Sequence, residues 1–275
     1  HGEFNHSLAL YLLNHSRSTY CGIPELANWT CPTCRDASME GFKPYFVNPE
    51  TSVHVGVYVG YDCVRDMVVC AFRGTLYLIN WIQDLDYYKV DSAYPECAGT
   101  GWESEAKGRK CMVHSGFYTD WLSVKDSVLL TVDTILREHP TATVWATGHS
   151  LGGALAAFAA LELSLALNTT GVGVYTFGEP RVGNVDFAQF WGERVPRGVR
   201  VVHQDDVVPH LPPRGRTVLL LTDFHHTRTE VWQTGPKDNI FQICAPSGED
   251  PKCSNSLATW DRSVEAHLVY LGWSM

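Results

Sequence analysis

The chain lacks any long apolar run. Its longest, Ala154 to Leu161, is stopped by Glu162, far short of the roughly 20 residues that a bilayer-spanning helix needs. Blocks of lysine or arginine are missing too, and the formal charge is −9, so nucleic acid is not an expected partner. Charged residues make up only 19% against 45% hydrophobic, which excludes a disordered chain and promises a sizeable core. No second Cys-x-x-Cys accompanies Cys31 and Cys34, so a four-cysteine zinc site is not assembled. Repeats, low-complexity segments and a linker are also missing, and residues 1–275 read as one domain.

What the chain does have begins with nine cysteines. In a secreted chain these read as structural disulfides. Cys31–Cys34, Cys97–Cys111 and Cys244–Cys253 each close a short loop, Cys21 with Cys63 is a further pairing to test, and Cys70 in "MVVCAF" is the expected buried free thiol. A first residue of His1 and not Met fits removal of a signal peptide. Four Asn-x-Ser/Thr triplets, at Asn5, Asn14, Asn28 and Asn168, fit an extracellular location and are candidate glycosylation sites.

Periodicity gives the class. The first 20 or so residues read as a helix with Leu8, Leu12 and Leu13 on one side, and "HVGVYVGYD" and "DMVVCAFRGT" as paired strands turning near Asp62. Trp121, Val124, Val128, Val132 and Ile135 recur at helical spacing from Ser115 to His139, where Pro140 ends the run. The strand "TVWAT", a helix after Ser150, the strand "GVYTF", a helix around Phe187 to Trp191 and the strand "VRVVH" follow. Strands alternating with helices, several apolar throughout, predict an α/β chain with a mostly parallel sheet covered on both faces.

Gly148-His149-Ser150-Leu151-Gly152 matches G-x-S-x-G between a predicted strand and a predicted helix, the context of a nucleophile elbow. The reversal is sharp enough to bring the residues two before and two after the serine together, which only glycine permits. The plainer alternative is a tight turn with Ser150 as helix N-cap. A serine nucleophile needs a base and a group that orients it, in the chain order Ser, Asp/Glu, His. Asp205 and Asp206, after the strand "VRVVH", are the best-placed carboxylates; a metal cluster of His203, Asp205, Asp206 and His210 is the competing reading. Of the later histidines His210, His225, His226 and His267, the adjacent pair reads as structural, and His267 stands where the order requires the base.

The segments "TYC" at 19–21, "WTCPTC" at 29–34, "AFRGT" at 71–75, "NWIQDL" at 80–85, "VHSGF" at 113–117, "TGHSLGGA", "GEPRVGN" at 178–184, "DVVPHLPP" at 206–213 and "AHLVYLGW" at 266–273 together resemble the fungal-type class 3 lipases of the Rhizomucor group. The resemblance implies an α/β-hydrolase fold with a short helical lid at about 76–88. It also implies Ser150 as nucleophile, Asp206 as orienting acid, His267 as base, and the N–H groups of Thr75 and Leu151 as oxyanion hole. Asp84 would hold the Thr75 hydroxyl, and Tyr20, His149, Val208 and Pro209 would line the pocket. Cys31–Cys34 and Cys244–Cys253 follow from it as well. Leu78, Trp81, Ile82 and Leu85 form one apolar stripe on the lid helix, and an apolar lid favours acylglycerol over feruloyl esters. The partner is then a lipid ester at an oil–water surface; no metal or organic cofactor is implied, and a monomer is the default.

The chain departs from the group in three places. Thr75 stands where many relatives carry serine, the stretch holding Cys97 and Cys111 is long, and no cysteine follows Cys253 to pair with Cys21.

Overall fold

A computed structural model describes residues 4–49, 55–91, 94–97, 110–214, 216–217, 220–221, 223–227, 229–235, 240–258 and 261–275. Its centre is an eight-stranded sheet whose strands lie side by side in chain order: β1 (Phe42–Val47), β2 (Val57–Asp62), β3 (Met67–Phe72), β4 (Thr143–His149), β5 (Gly173–Phe177), β6 (Arg197–His203), β7 (Glu230–Gln233) and β8 (Phe241–Ile243). Pairings from β3 through β7 are parallel; those at the two margins are antiparallel. This is the mostly parallel α/β sheet that the sequence pattern predicts, in the α/β-hydrolase arrangement that the resemblance implies.

Alternation along the strands divides the core. Val57, Val59, Val68, Cys70, Phe72, Val144, Ala146 and Val174 face one side, packed under α3 (Ser115–Glu138), α4 (Leu151–Ala166) and α5 (Val185–Arg194). Tyr58, Met67, Val69, Ala71, Trp145, Tyr175 and Phe177 face the other, under α1 (His6–Ser18) and the C-terminal Tyr270 and Leu271. Between β3 and α3 lies one more short helix, α2 (Leu78–Asp84). All five predicted apolar positions of α3 are buried. In α4 every residue from Gly152 to Ser164 is buried, so the helix that begins at Ser150 is walled in by protein and its first turn is fixed.

Three strands of this sheet escaped the sequence reading. β1 carries Lys43 and Pro44 on the sheet margin, where a missing N–H is tolerated, and β7 and β8 are only 4 and 3 residues long.

Disulfides join Cys31 to Cys34, Cys97 to Cys111 and Cys244 to Cys253, with Cα–Cα separations of 4.9, 5.9 and 6.1 Å. Residues 98–109, inside the second loop, lie outside the described residues. Cys70 is a buried free thiol, as expected, but the Cys21–Cys63 pairing does not form. Both are free, Cys63 exposed and Cys21 half-buried. Among the described residues no helix is long and apolar enough to cross a membrane. Of the four sequon asparagines, Asn168 is exposed in a left-handed turn, Asn5 and Asn28 are exposed, and Asn14 is half-buried with its amide donating to Ser38 Oγ.

The fold also buries neutral imidazoles. Desolvation lowers His15 and His210 to about 3 and His114 to about 4, and pushes His149 and His226 well below 6.5. The unfolded chain takes up protons on these groups below about pH 6.5 and the folded one does not, so their contribution is full above that pH and is lost as pH falls toward 4. Glu179, raised to about 7 by burial, and Asp120, also raised by burial, act in the opposite sense, but they are two groups against six once His225, lowered by burial as well, is added. The thermal midpoint is therefore expected to drop steadily between pH 6.5 and 4. A midpoint flat across that window in a calorimetric series contradicts it.

Candidate active site

β4 ends and α4 begins at a corner where Ser150 has φ 58 and ψ −130, a strained conformation for a residue with a Cβ. Crowding enforces it. A Cβ on Gly148 would collide with the carbonyl of Gly152, and one on Gly152 with the carbonyl of Phe72. The two glycines face each other as the motif predicts, and the end of β3 lies against the corner. Ser150 occupies the N-cap position of α4, yet its side chain makes no capping bond. The plain-cap reading therefore fails. Its Oγ is buried without a hydrogen-bond partner.

Asp206 lies in the loop after β6 and is fully buried. Its Oδ2 accepts from His267 Nδ1 at 2.7 Å and from the Tyr270 hydroxyl, and its Oδ1 accepts from Val208 N–H at 2.8 Å. Because the carboxylate only accepts, Nδ1 of His267 carries the proton and Nε2 presents its lone pair. That Nε2 is buried and unpartnered, like Ser150 Oγ. The two atoms are not hydrogen-bonded to each other, but their surroundings are shared. The Phe177 carbonyl takes Ser150 N–H at 2.9 Å, and the next residue, Gly178, lies so close beneath the His267 ring that a Cβ there would sit 2.7 Å from Cε1. Asp205, the other sequence candidate, uses its carbonyl to take Ser263 N–H and stands outside this cluster.

The loop bearing Asp206 is tied down by a buried ion pair. Arg181 donates to both oxygens of Glu249 at 2.7 and 3.0 Å, and to the Pro212 carbonyl at 2.8 Å. Burial alone would raise Glu249, but Arg181 holds its carboxyl well below the usual range. This is what the "GEPRVGN" stretch contributes.

The oxyanion candidates lie at the same corner. Leu151 opens α4, where N–H groups have no intrahelical partner and the helix dipole is positive. Thr75 follows Gly74, and a Cβ on Gly74 would lie 2.9 Å from Ser150 Cβ. The structure does not bring Asp84 to the Thr75 hydroxyl. Asp84 is exposed, and Thr75 Oγ1 accepts instead from Tyr77 N–H at 3.2 Å. The helix turns Asp84 outward while Trp81 and Leu85, partly buried, take the side that faces the core.

In α2 and its flanks, Trp81 and Leu85 pack on the core, Trp81 stacking on Phe117 at 6.0 Å. Leu78 and Ile82 are half-buried. Leu76, Tyr77 and Ile79 are 60%, 75% and 62% exposed, so the segment is apolar outward as well as inward. His114 caps α3 through Nδ1 and donates from Nε2 to the Asp86 carbonyl at 2.5 Å, fixing the far end of the segment.

Tyr20 and His149 meet beside Ser150, with Tyr20 Oη 2.8 Å from His149 Nδ1. Val208 and Pro209 are buried in the turn under Asp206. His203, Asp205, Asp206 and His210 do not converge as ligands. Among the described residues the cluster with metal-like spacing is Glu230, Cys244 and Cys253, whose sulfurs are joined to each other. His226 is buried with Nε2 on the Pro209 carbonyl, and His225 bonds the His226 carbonyl, so both serve the loop structure. Sequence reasoning missed Tyr270 and Gly178. The signal for Tyr270 was its place three residues after His267.

The Lipase (class 3) family profile matches residues 69–215. A lipase of Rhizomucor miehei is 33% identical over 270 residues, covering 95% of this chain and 67% of that protein. A secreted mono- and diacylglycerol lipase of Fusarium solani is 29% identical over 238 residues, covering 85% and 65%. The chain thus spans about two thirds of the length of these relatives. A solved triacylglycerol lipase, whose catalytic centre is described as a serine protease triad, superposes with a TM-score of 0.83 at 30% identity, covering 98% of this chain and 94% of that one. Elbow, buried acid–imidazole pair, sheet order and these matches agree, and the chain belongs to the class 3 lipase family of carboxylic ester hydrolases.

Proposed function

We propose that this protein is a secreted lipase that cleaves acylglycerol esters at a lipid–water interface by acyl transfer through Ser150, His267 and Asp206. The observation that carries the reading is the Asp206–His267 pair beside an uncapped, buried Ser150 under an apolar segment. His267 Nε2 takes the Ser150 proton as Oγ attacks the ester carbonyl, and the N–H groups of Thr75 and Leu151 hold the developing oxyanion. The alcohol leaves with that proton, and water repeats the sequence to release the fatty acid. Asp206 keeps the imidazole in the tautomer this requires.

Residues 76–88 act as the lid. Swinging Trp81 and Leu85 into water costs up to about 1.5 to 3 kcal/mol each, so the covered form dominates until a lipid surface offsets the cost. Three disulfides among the described residues and the secreted Fusarium solani relative support an extracellular location. That relative, a mono- and diacylglycerol lipase, also favours a second reading within the class, partial glycerides over triacylglycerol.

Assaying one preparation on triolein, diolein, lecithin and methyl ferulate separates these readings from a phospholipase or a feruloyl esterase. The glycerides are expected to be cleaved fastest, with a rate that climbs as a short-chain ester passes its solubility limit. Preference for lecithin or methyl ferulate rejects the substrate class, and a rate indifferent to the interface rejects the lid.

A further inference from the structure

The His267 backbone sits on a short turn, Ala266–Leu268, near the end of the described chain. A turn of three residues does not itself fix an imidazole to the accuracy that proton transfer needs. Two buried histidines grip it. His149 Nε2 lies 2.8 Å from the His267 carbonyl, and His203 Nδ1 lies 2.8 Å from the Ala266 carbonyl. A carbonyl only accepts, so each imidazole must present an N–H there. For His149 this leaves Nδ1 bare, and the Tyr20 hydroxyl donates to it at 2.8 Å. The Tyr20 hydroxyl also packs against Gly74, the residue before Thr75, so closely that a Cβ there would collide with its oxygen. The rings of His149 and His267 are 4.3 Å apart, centroid to centroid. Burial, with the His267 ring beside it, keeps His149 uncharged.

We infer that His149 and His203 are positioning residues that clamp the carbonyls of His267 and Ala266, and that Tyr20 couples the His149 clamp to the oxyanion loop at Gly74. Tyr20 and His149 therefore do more than line a pocket. Neither clamp touches the reacting atoms. They act by holding the base where Nε2 can reach Ser150, with the loop bearing Thr75 packed at Gly74 against the Tyr20 end of the same chain. The inference rests on the reading of His267 as base, and the tests separate the two.

Gln places its amide nitrogen where His149 carries Nε2, and Asn places its own where His203 carries Nδ1. His149→Gln and His203→Asn therefore keep the grip, whereas His149→Leu and His203→Leu remove it. With a soluble p-nitrophenyl ester, His149→Leu is expected to lower kcat by about 10- to 100-fold with KM within about 3-fold, a loss typical of sub-ångström to ångström misplacement. His149→Gln keeps the grip but has no acceptor where Nδ1 takes the Tyr20 hydroxyl, so it is expected to lose about as much as Tyr20→Phe and clearly less than His149→Leu. His203→Leu is expected to lose less than His149→Leu, and His203→Asn less again. Tyr20→Phe, which removes one oxygen, is expected to lower kcat by about 3- to 10-fold and serves if the leucine variants do not fold. A second readout needs no activity. In ¹⁵N-histidine-labelled protein the His267 Nδ1–H resonance should shift or broaden most in His149→Leu and by a smaller, similar amount in Tyr20→Phe and His149→Gln.

The clamp is overturned if the folded leucine variants keep kcat and the resonance unchanged, or if glutamine is as damaging as leucine. The coupling is overturned if Tyr20→Phe leaves both readouts unmoved. Loss of the ester hydrolase reading itself shows differently, as an inactive parent protein with the resonance intact.

Discussion

Replacing Ser150 with alanine is expected to lower kcat/KM on a soluble ester by about 10⁶-fold, His267→Ala by a similar factor, and the double variant no further than either single one. The equality follows from the geometry. Ser150 Oγ has no partner in the structure, and in the proposed mechanism it is activated only through His267 Nε2, so removing either end would remove the same step. Asp206→Asn is expected to cost about 10⁴-fold. The amide would offer its own N–H where His267 Nδ1 now donates, which favours the tautomer with the proton on Nε2 and the base turned away. Tyr270, donating to the same Oδ2, loses its acceptor too. Initial rates on a p-nitrophenyl ester, with a fluorophosphonate to count reactive serines, test all four proteins. A Ser150→Ala protein that keeps a hundredth of the parent rate, or that is still labelled, removes Ser150 from its role.

The second large effect is expected at Gly178. It has φ +63, and a Cβ there would stand 2.7 Å from His267 Cε1 and 2.8 Å from both His267 Nδ1 and Tyr270 Oη. Real Cβ atoms do not approach so closely, so either the base or the backbone must give way. Gly178→Ala is expected to lower kcat by about 10²-fold through displacement of the imidazole, and to destabilise by about 1 to 3 kcal/mol. Gly116→Ala is the control. A Cβ there meets only His114, at 3.4 Å, and the position is in the first turn of α3, so alanine should be neutral or slightly stabilising. Measuring kcat and the thermal midpoint together distinguishes a moved base from a general loss of fold. An active Gly178→Ala enzyme of parental kcat shows that His267 does not depend on that contact.

The chain's own letters determined the sheet from β2 to β6, the helices that cross over it, the three short-loop disulfides and the corner at Ser150. In each case the determinant is local, an alternation, a 3.6-residue period, a cysteine spacing or a glycine pair about one serine, and such patterns survive in one dimension. The short or marginal strands β1, β7 and β8 were not legible, because three to six residues with polar or proline interruptions carry no period. Only the folded structure decided that Cys21 and Cys63 stay apart, since pairing depends on distances that spacing does not encode. It alone turned Asp84 to solvent and gave the Thr75 hydroxyl to Tyr77. It alone also placed His149 and His203 on the carbonyls of residues 267 and 266. Every residue has a carbonyl, so no letter in the sequence marks one that will be gripped. Which one is gripped depends on how β4, β6 and the C-terminal turn approach one another across the sheet, and that approach exists only after the core has closed.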